Sequence, residues 1–165
     1  MDKVLNLSAF GEIIKNPNKM EPDNTKSPNK NIVPTEESKY GHIFKMILQN
    51  SAQTKLLHWQ CALYGQHKAL DKLFENIIEI GDGLAESIMG KYGKPVLTED
   101  QLCLKLMNFE NPKDGDLSKY MDHLYKCYTI DCKSLLDENS DSELINILDE
   151  MIAAIDQTKY LISLR

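Results

Sequence analysis

The stretch His58–Glu86, HWQCALYGQHKALDKLFENIIEIGDGLAE, carries two histidines near its start and Asp71, Asp82 and Glu86 further along. Apolar residues recur in it at three- and four-residue steps, which predicts a helix from about Gln66 to Tyr92 with Gly93 as its stop. With His67 placed at zero and roughly 100° per residue, Asp71 falls near roughly 40°, Asp82 near roughly 60° and Glu86 near roughly 100°. Phe74, Ile78, Gly81, Ala85 and Ile88 lie between roughly −60° and 20°, so the polar line is expected along the border of a buried face. Acids at such a border need a partner, and a cation is the economical one. A nitrogen and oxygen donor set without thiolate suits iron, manganese or zinc. Each residue also has an ordinary reading: a histidine that caps a helix, an exposed Asp82–Glu86 pair, a tryptophan at position 59 that fills core.

Helical patterning continues on both sides. A first helix is expected from Thr35, an N-cap that follows Pro34, with Tyr40, Phe44, Ile47 and Ser51 leading toward Thr54 and His58. A third runs from about Leu117 to Asp137, with Leu117, Met121, Leu124, Tyr128, Cys132 and Leu135 on one face. A fourth starts at the box Ser140-Asp141-Ser142-Glu143 and carries Leu144, Leu148, Met151, Ile155 and Ile162. No segment reads as a strand. The expectation is an all-α, four-helix bundle over residues 35–165, with short first and last connections. The connection of about Lys94 to Asp116 is long enough to cross the bundle. It is expected to hold a short helix from Thr98, anchored by Leu102, Leu106 and Phe109, and one long crossover is the ferritin-like arrangement.

Residues 1–34 differ in composition. Pro17, Pro22, Pro28 and Pro34 stand among asparagines, and few apolar residues follow Ile14, which predicts an extended arm. Val4–Ile14 is more apolar and suits docking on a neighbouring surface. The arm has five lysines against four acids; the remainder has fourteen basic residues against twenty-one acidic ones. Few phosphates can be neutralised by such a chain, so direct DNA binding is expected to be weak or absent. Arg165 is the only arginine, and lysine and asparagine are plentiful, a bias found with AT-rich genomes such as those of many parasites, phages and large DNA viruses.

No apolar run reaches the roughly 18 residues that span a bilayer, and the N-terminus lacks the apolar block of a secretory signal. A non-membrane protein is expected, in the cytoplasm, at the nucleoid or inside a virion. Cys61, Cys103, Cys127 and Cys132 form no CxxC pair and are expected to be buried thiols.

His58-Trp59, His67, Asp71, Asp82 and Glu86 together resemble the ferritin-like DNA-binding proteins from starved cells (Dps proteins, the miniferritins). In that family an HW dipeptide ends the first long helix and a second histidine opens the next. Asp follows four residues later, then Asp and Glu at fifteen and nineteen; the last four residues here keep that spacing. The resemblance implies an iron site between two subunits: His58, His67 and Asp71 from one chain, Asp82 and Glu86 from its two-fold mate. It implies oxidation of Fe2+, commonly by hydrogen peroxide, storage of the ferric product in a hollow dodecamer built from two-fold dimers, and protection of DNA from oxidative damage. Trp59 would intercept radicals or electrons beside the site. Two features depart from the family: the histidines are nine residues apart, a shorter step than usual, and Gly81 and Gly83 flank Asp82. A second class fits the same bundle: a structural or packaging protein of a capsid or nucleoid, attached through its N-terminal arm.

Overall fold

The computed structural model describes residues 37–164. The arm expected over 1–34 and the helix start expected at Thr35 lie outside them. Among the described residues all regular structure is helical: α1 Glu37–Gln60, α2 Tyr64–Tyr92, α3 Glu99–Leu102, α4 Asp114–Lys126 and α5 Ser142–Ser163. The protein is all-α, and no helix of the described residues is long and apolar enough to cross a membrane.

The short link between α1 and α2 folds the two back on one another. α2 also packs on α5, and α5 on α4. α4 runs straight into a π-helical segment, Cys127–Cys132, and a 3-10 turn, Lys133–Leu135. One core lies between these helices. Leu117, Met121, Leu124, Tyr128 and Cys132 are buried as their spacing predicts, and so are Leu144, Leu148, Met151, Ile155 and Ile162. The continuous α-helix expected to Asp137 gives way at Cys127. There the Thr129 hydroxyl donates to the Tyr125 carbonyl at 2.6 Å, a local bond that competes with the helix ladder.

The buried face of α2 is turned from the expected one. Leu70, Leu73, Ile77, Leu84 and Ile88 carry it, centred roughly 80° from His67. Five large aliphatic side chains outweigh the smaller and more mixed set of Phe74, Ile78, Gly81, Ala85 and Ile88. Ile78 is therefore exposed, and Asp82 and Glu86 are exposed too, instead of lying on the border of the core. Gly81 stays in the packed face: a Cβ there would meet Ile47 Cγ2 of α1 at 2.6 Å, so the glycine lets α1 and α2 approach closely. A Cβ at Gly83 would meet nothing within 4 Å.

The crossover from α2 to α4 holds the short helix expected at Thr98, closed by a capping box with Gln101. Of its three expected anchors only Phe109 packs on the core; Leu102 is 61% and Leu106 46% exposed. Polar contacts hold this segment instead. Gln53 of α1 is buried and pairs with both backbone groups of Met107, accepting from its N–H at 2.6 Å and donating to its carbonyl at 2.9 Å. Cys61, Cys127 and Cys132 are buried, whereas Cys103 is exposed on this crossover, contrary to the expectation for it.

Far from the histidines, Asp141 ties the ends of three elements together. Its carboxylate is 1% exposed, receives Lys91 at 3.0 Å and the Tyr92 hydroxyl, and accepts from the Asp137 amide at 2.9 Å. Lys91 also reaches Glu143 at 2.6 Å.

Candidate metal centre at the turn between α1 and α2

α1 ends and α2 begins across only Cys61–Leu63, so His58 in the last turn of one helix faces His67 in the first turn of the next. Their rings overlap with centroids 3.8 Å apart and planes inclined by 31°. Each ring bonds to the other's backbone. His58 Nδ1 lies 2.9 Å from the His67 carbonyl oxygen, and His67 Nδ1 lies 2.8 Å from the His58 carbonyl oxygen. The second bond satisfies one of the carbonyls that a helix C-terminus leaves without an intrahelical partner. A carbonyl oxygen only accepts, so both Nδ1 atoms carry the proton. The clasp engages Nδ1 of each ring and leaves Nε2 outside it, and an imidazole oriented through Nδ1 binds a metal through Nε2 once that nitrogen carries a lone pair.

Asp71, one turn along α2 from His67, approaches His58. Its Oδ1 is 3.6 Å from His58 Nε2. His58 is buried, while His67 and Asp71 are half-buried. Two lysines also serve Asp71: Lys55 Nζ lies 3.0 Å from Oδ1 and Lys68 Nζ 3.4 Å from Oδ2. The Lys55 hydrogen bond, aided by charge from His58 and by Lys68, outweighs the desolvation that opposes it and holds the Asp71 carboxyl below its usual range. Lys55 also sits over the Phe74 ring, 4.7 Å from its centroid.

Of the five expected ligands, His58 stacks on His67 and stands 3.6 Å from Asp71, so these three are neighbours in pairs and not a closed ligand set. Asp82 and Glu86 lie apart from them: eleven residues at 1.5 Å each put Asp82 roughly 16 Å from Asp71 along the same helix. Among the described residues no three His, Cys, Asp or Glu side chains converge as a metal shell within one chain. Trp59, beside His58, is 68% exposed and fills no core. Lys55, outside the expected ligand set, stands one turn before His58 and is the closest charged group to Asp71. Its three-residue spacing from His58 was the available signal.

No curated protein and no solved structure matches the chain. A family model does, over residues 58–162, a span that begins at His58 and includes His67, Asp71, Asp82 and Glu86. By that match, which covers more than half of its length, the chain belongs to DUF5856, a family of unknown function.

Proposed function

We propose that the chain is a ferritin-like, Dps-type iron protein that oxidises Fe2+ at a site shared by two subunits, stores the ferric product within an oligomer and so protects DNA. The observation that carries this reading is the clasp between His58 and His67, in which each Nδ1–H donates to a backbone carbonyl and each Nε2 is left outside the clasp, beside the Asp71 carboxylate. Fe2+ is the substrate. His58, His67 and Asp71 would supply two nitrogens and an oxygen, and the carboxylates favour the more highly charged ferric product. An antiparallel copy of α2 would bring Asp82 and Glu86 to the same ion. Both are exposed, as donors to a neighbouring chain must be, and Ile78 on the same helix is an exposed apolar residue that such a copy would cover. The proposed assembly is a hollow dodecamer of two-fold dimers with little direct affinity for DNA, placed in the cytoplasm, at the nucleoid or inside a virion.

Lys55 favours a second reading. Its ammonium occupies the position beside Asp71 that a metal ion would take, so iron entry requires its displacement. A chain that never exchanges this lysine for a metal would be a structural or packaging protein that retains the bundle.

Ferric absorbance after peroxide is added to anaerobically Fe2+-loaded protein separates the two. The iron reading expects fast oxidation that is lost in Asp82→Asn/Glu86→Gln, with the helical circular dichroism unchanged. Slow oxidation, equal in parent and double variant, would refute it in favour of the structural protein.

A further inference from the structure

The crossover carries an apolar row that the core does not use. Leu102, Leu104, Leu106 and Met107 are all exposed, on a segment that leaves α3 with extended backbone at Cys103 (φ −86°, ψ 108°). Its odd-numbered residues face α1. Lys105 N–H donates to Gln49 Oε1 at 3.3 Å, Met107 exchanges both its backbone groups with Gln53, and Phe109 N–H donates to Gln60 Oε1 at 3.2 Å. The register matches over the first step, where four helical residues rise about 6 Å from Gln49 to Gln53 and two extended residues rise about 6.6 Å from Lys105 to Met107, and is looser over the second, where about 10.5 Å of helix separates Gln53 from Gln60.

In an extended chain successive residues direct their N–H and C=O to opposite edges. Leu104 and Leu106 therefore direct theirs away from α1, and among the described residues these backbone groups have no hydrogen-bond partner. The glutamines pair one edge of the segment and leave the other as an open strand edge, flanked by leucines at alternate positions. An open edge of this kind is a template for an added strand.

Lys105 selects the occupant. Were two copies to pair antiparallel with Leu104 opposite Leu106, Lys105 would stand opposite its own copy, and like charges directly across a strand pair repel. An acidic residue in that place attracts instead. We propose that Leu104–Asn108 is a strand-addition site for an extended segment of a partner protein, one with an acidic residue opposite Lys105 and apolar residues on either side of it.

The test uses the full chain and two short fluorescein-labelled peptides of alternating valine and threonine, one with a central glutamate and one with a central lysine. Fluorescence anisotropy should show the glutamate peptide binding at least about tenfold more tightly, and Lys105→Glu should reverse the preference. Leu106→Pro removes the outward N–H, suits an extended backbone and leaves Met107 with Gln53; it should weaken the glutamate peptide at least about tenfold. The charge reversal alone still decides if that proline variant does not fold. Equal affinity for the two peptides, or unchanged binding in a folded Leu106→Pro variant, overturns the proposal. A peptide-free assembly that becomes smaller on Leu106→Pro also overturns it, because the edge would then belong to a second copy of the chain.

Discussion

His58 and His67 each donate from Nδ1 to the other's backbone carbonyl, at 2.9 and 2.8 Å. The clasp spans a connection of three residues, Cys61–Leu63, and requires it to be short: the nine-residue step between the histidines brings the end of α1 against the start of α2. The shortened connection thus orients the rings, and it places the buried His58 and half-buried Asp71 side by side.

The clasp and the proposed chemistry use different nitrogens of His58, so they can be separated. Asparagine places its amide N–H near the position of Nδ1 and has nothing at Nε2. His58→Asn is expected to keep the bond to the His67 carbonyl and to lose less than about 1 kcal/mol of stability. His58→Ala leaves that bond unmade and is expected to cost about 1–3 kcal/mol. Both should lose Fe2+ oxidation. Chemical denaturation and oxidation kinetics on the same samples check the pair, and oxidation at the parent rate in His58→Asn would remove Nε2 from the site.

Lys55 holds the Asp71 oxygen that the proposed metal ion would need. Lys55→Met keeps the aliphatic stem against Phe74 and removes the charge, and it is expected to raise divalent-metal affinity by about tenfold, or about 1.4 kcal/mol. The same change should move the Asp71 carboxyl up toward its ordinary value, because the Lys55 hydrogen bond is the chief cause of its depression. Calorimetric titration with Mn2+ and carboxyl-carbon NMR read the two effects. Metal affinity that falls in this variant would mean that the lysine assists binding.

Asp141 is expected to contribute to the loss of stability in acid. Burial would raise its pKa, but the Tyr92 hydroxyl, the Asp137 amide and Lys91 outweigh it and hold the carboxyl below 3.8. A depressed folded-state pKa stabilises the fold above the ordinary carboxylate pKa, and that contribution is lost as pH falls through the folded value. Asp137, held by the Ser140 amide and hydroxyl, and Glu143, held by Lys91, shift in the same direction. Asp141→Asn should cost about 3 kcal/mol near neutrality and flatten the loss of stability below about pH 4. Urea midpoints across pH test this; parallel curves for parent and variant would contradict it.

Two tyrosines of the core are expected to behave oppositely. The Tyr120 hydroxyl lies 2.8 Å from Thr54 Oγ1 and donates to the Asn50 carbonyl at 3.2 Å, whereas the Tyr128 hydroxyl and Asn50 Nδ2 are buried with no well-formed hydrogen bond among the described residues. Tyr120→Phe should destabilise by about 1 kcal/mol, and Tyr128→Phe should leave stability unchanged or raise it. Thermal unfolding of the two variants decides; a loss at Tyr128 as large as that at Tyr120 would show its hydroxyl to be satisfied.

The stripes of α4 and α5 were legible because regularly spaced large apolar residues have one way to be buried. Leu117, Met121 and Leu124, and Leu144, Leu148 and Met151, lie where periodicity places them. α2 was legible in extent but not in rotation. Its leucines and its Phe74–Ile78 row are two competing stripes, and only packing against both α1 and α5 selects between them. Leu102 and Leu106 looked like anchors because hydrophobicity ignores the backbone, whereas Gln49, Gln53 and Gln60 fix the crossover through its peptide groups. Of the candidate centre, the residue types and their spacing were readable. The reciprocal histidine bonds and the intrusion of Lys55 depend on the angle between two helices, which no single-helix periodicity encodes.

Native mass spectrometry of the purified protein, before and after anaerobic Fe2+ addition, tests the central claim most directly because it reads assembly and metal together. The account predicts an oligomer built from dimers that takes up iron at its subunit interfaces, with uptake abolished by Asp82→Asn/Glu86→Gln in an assembly of unchanged mass. A monomer, or an oligomer whose mass does not change on Fe2+ addition, would contradict it.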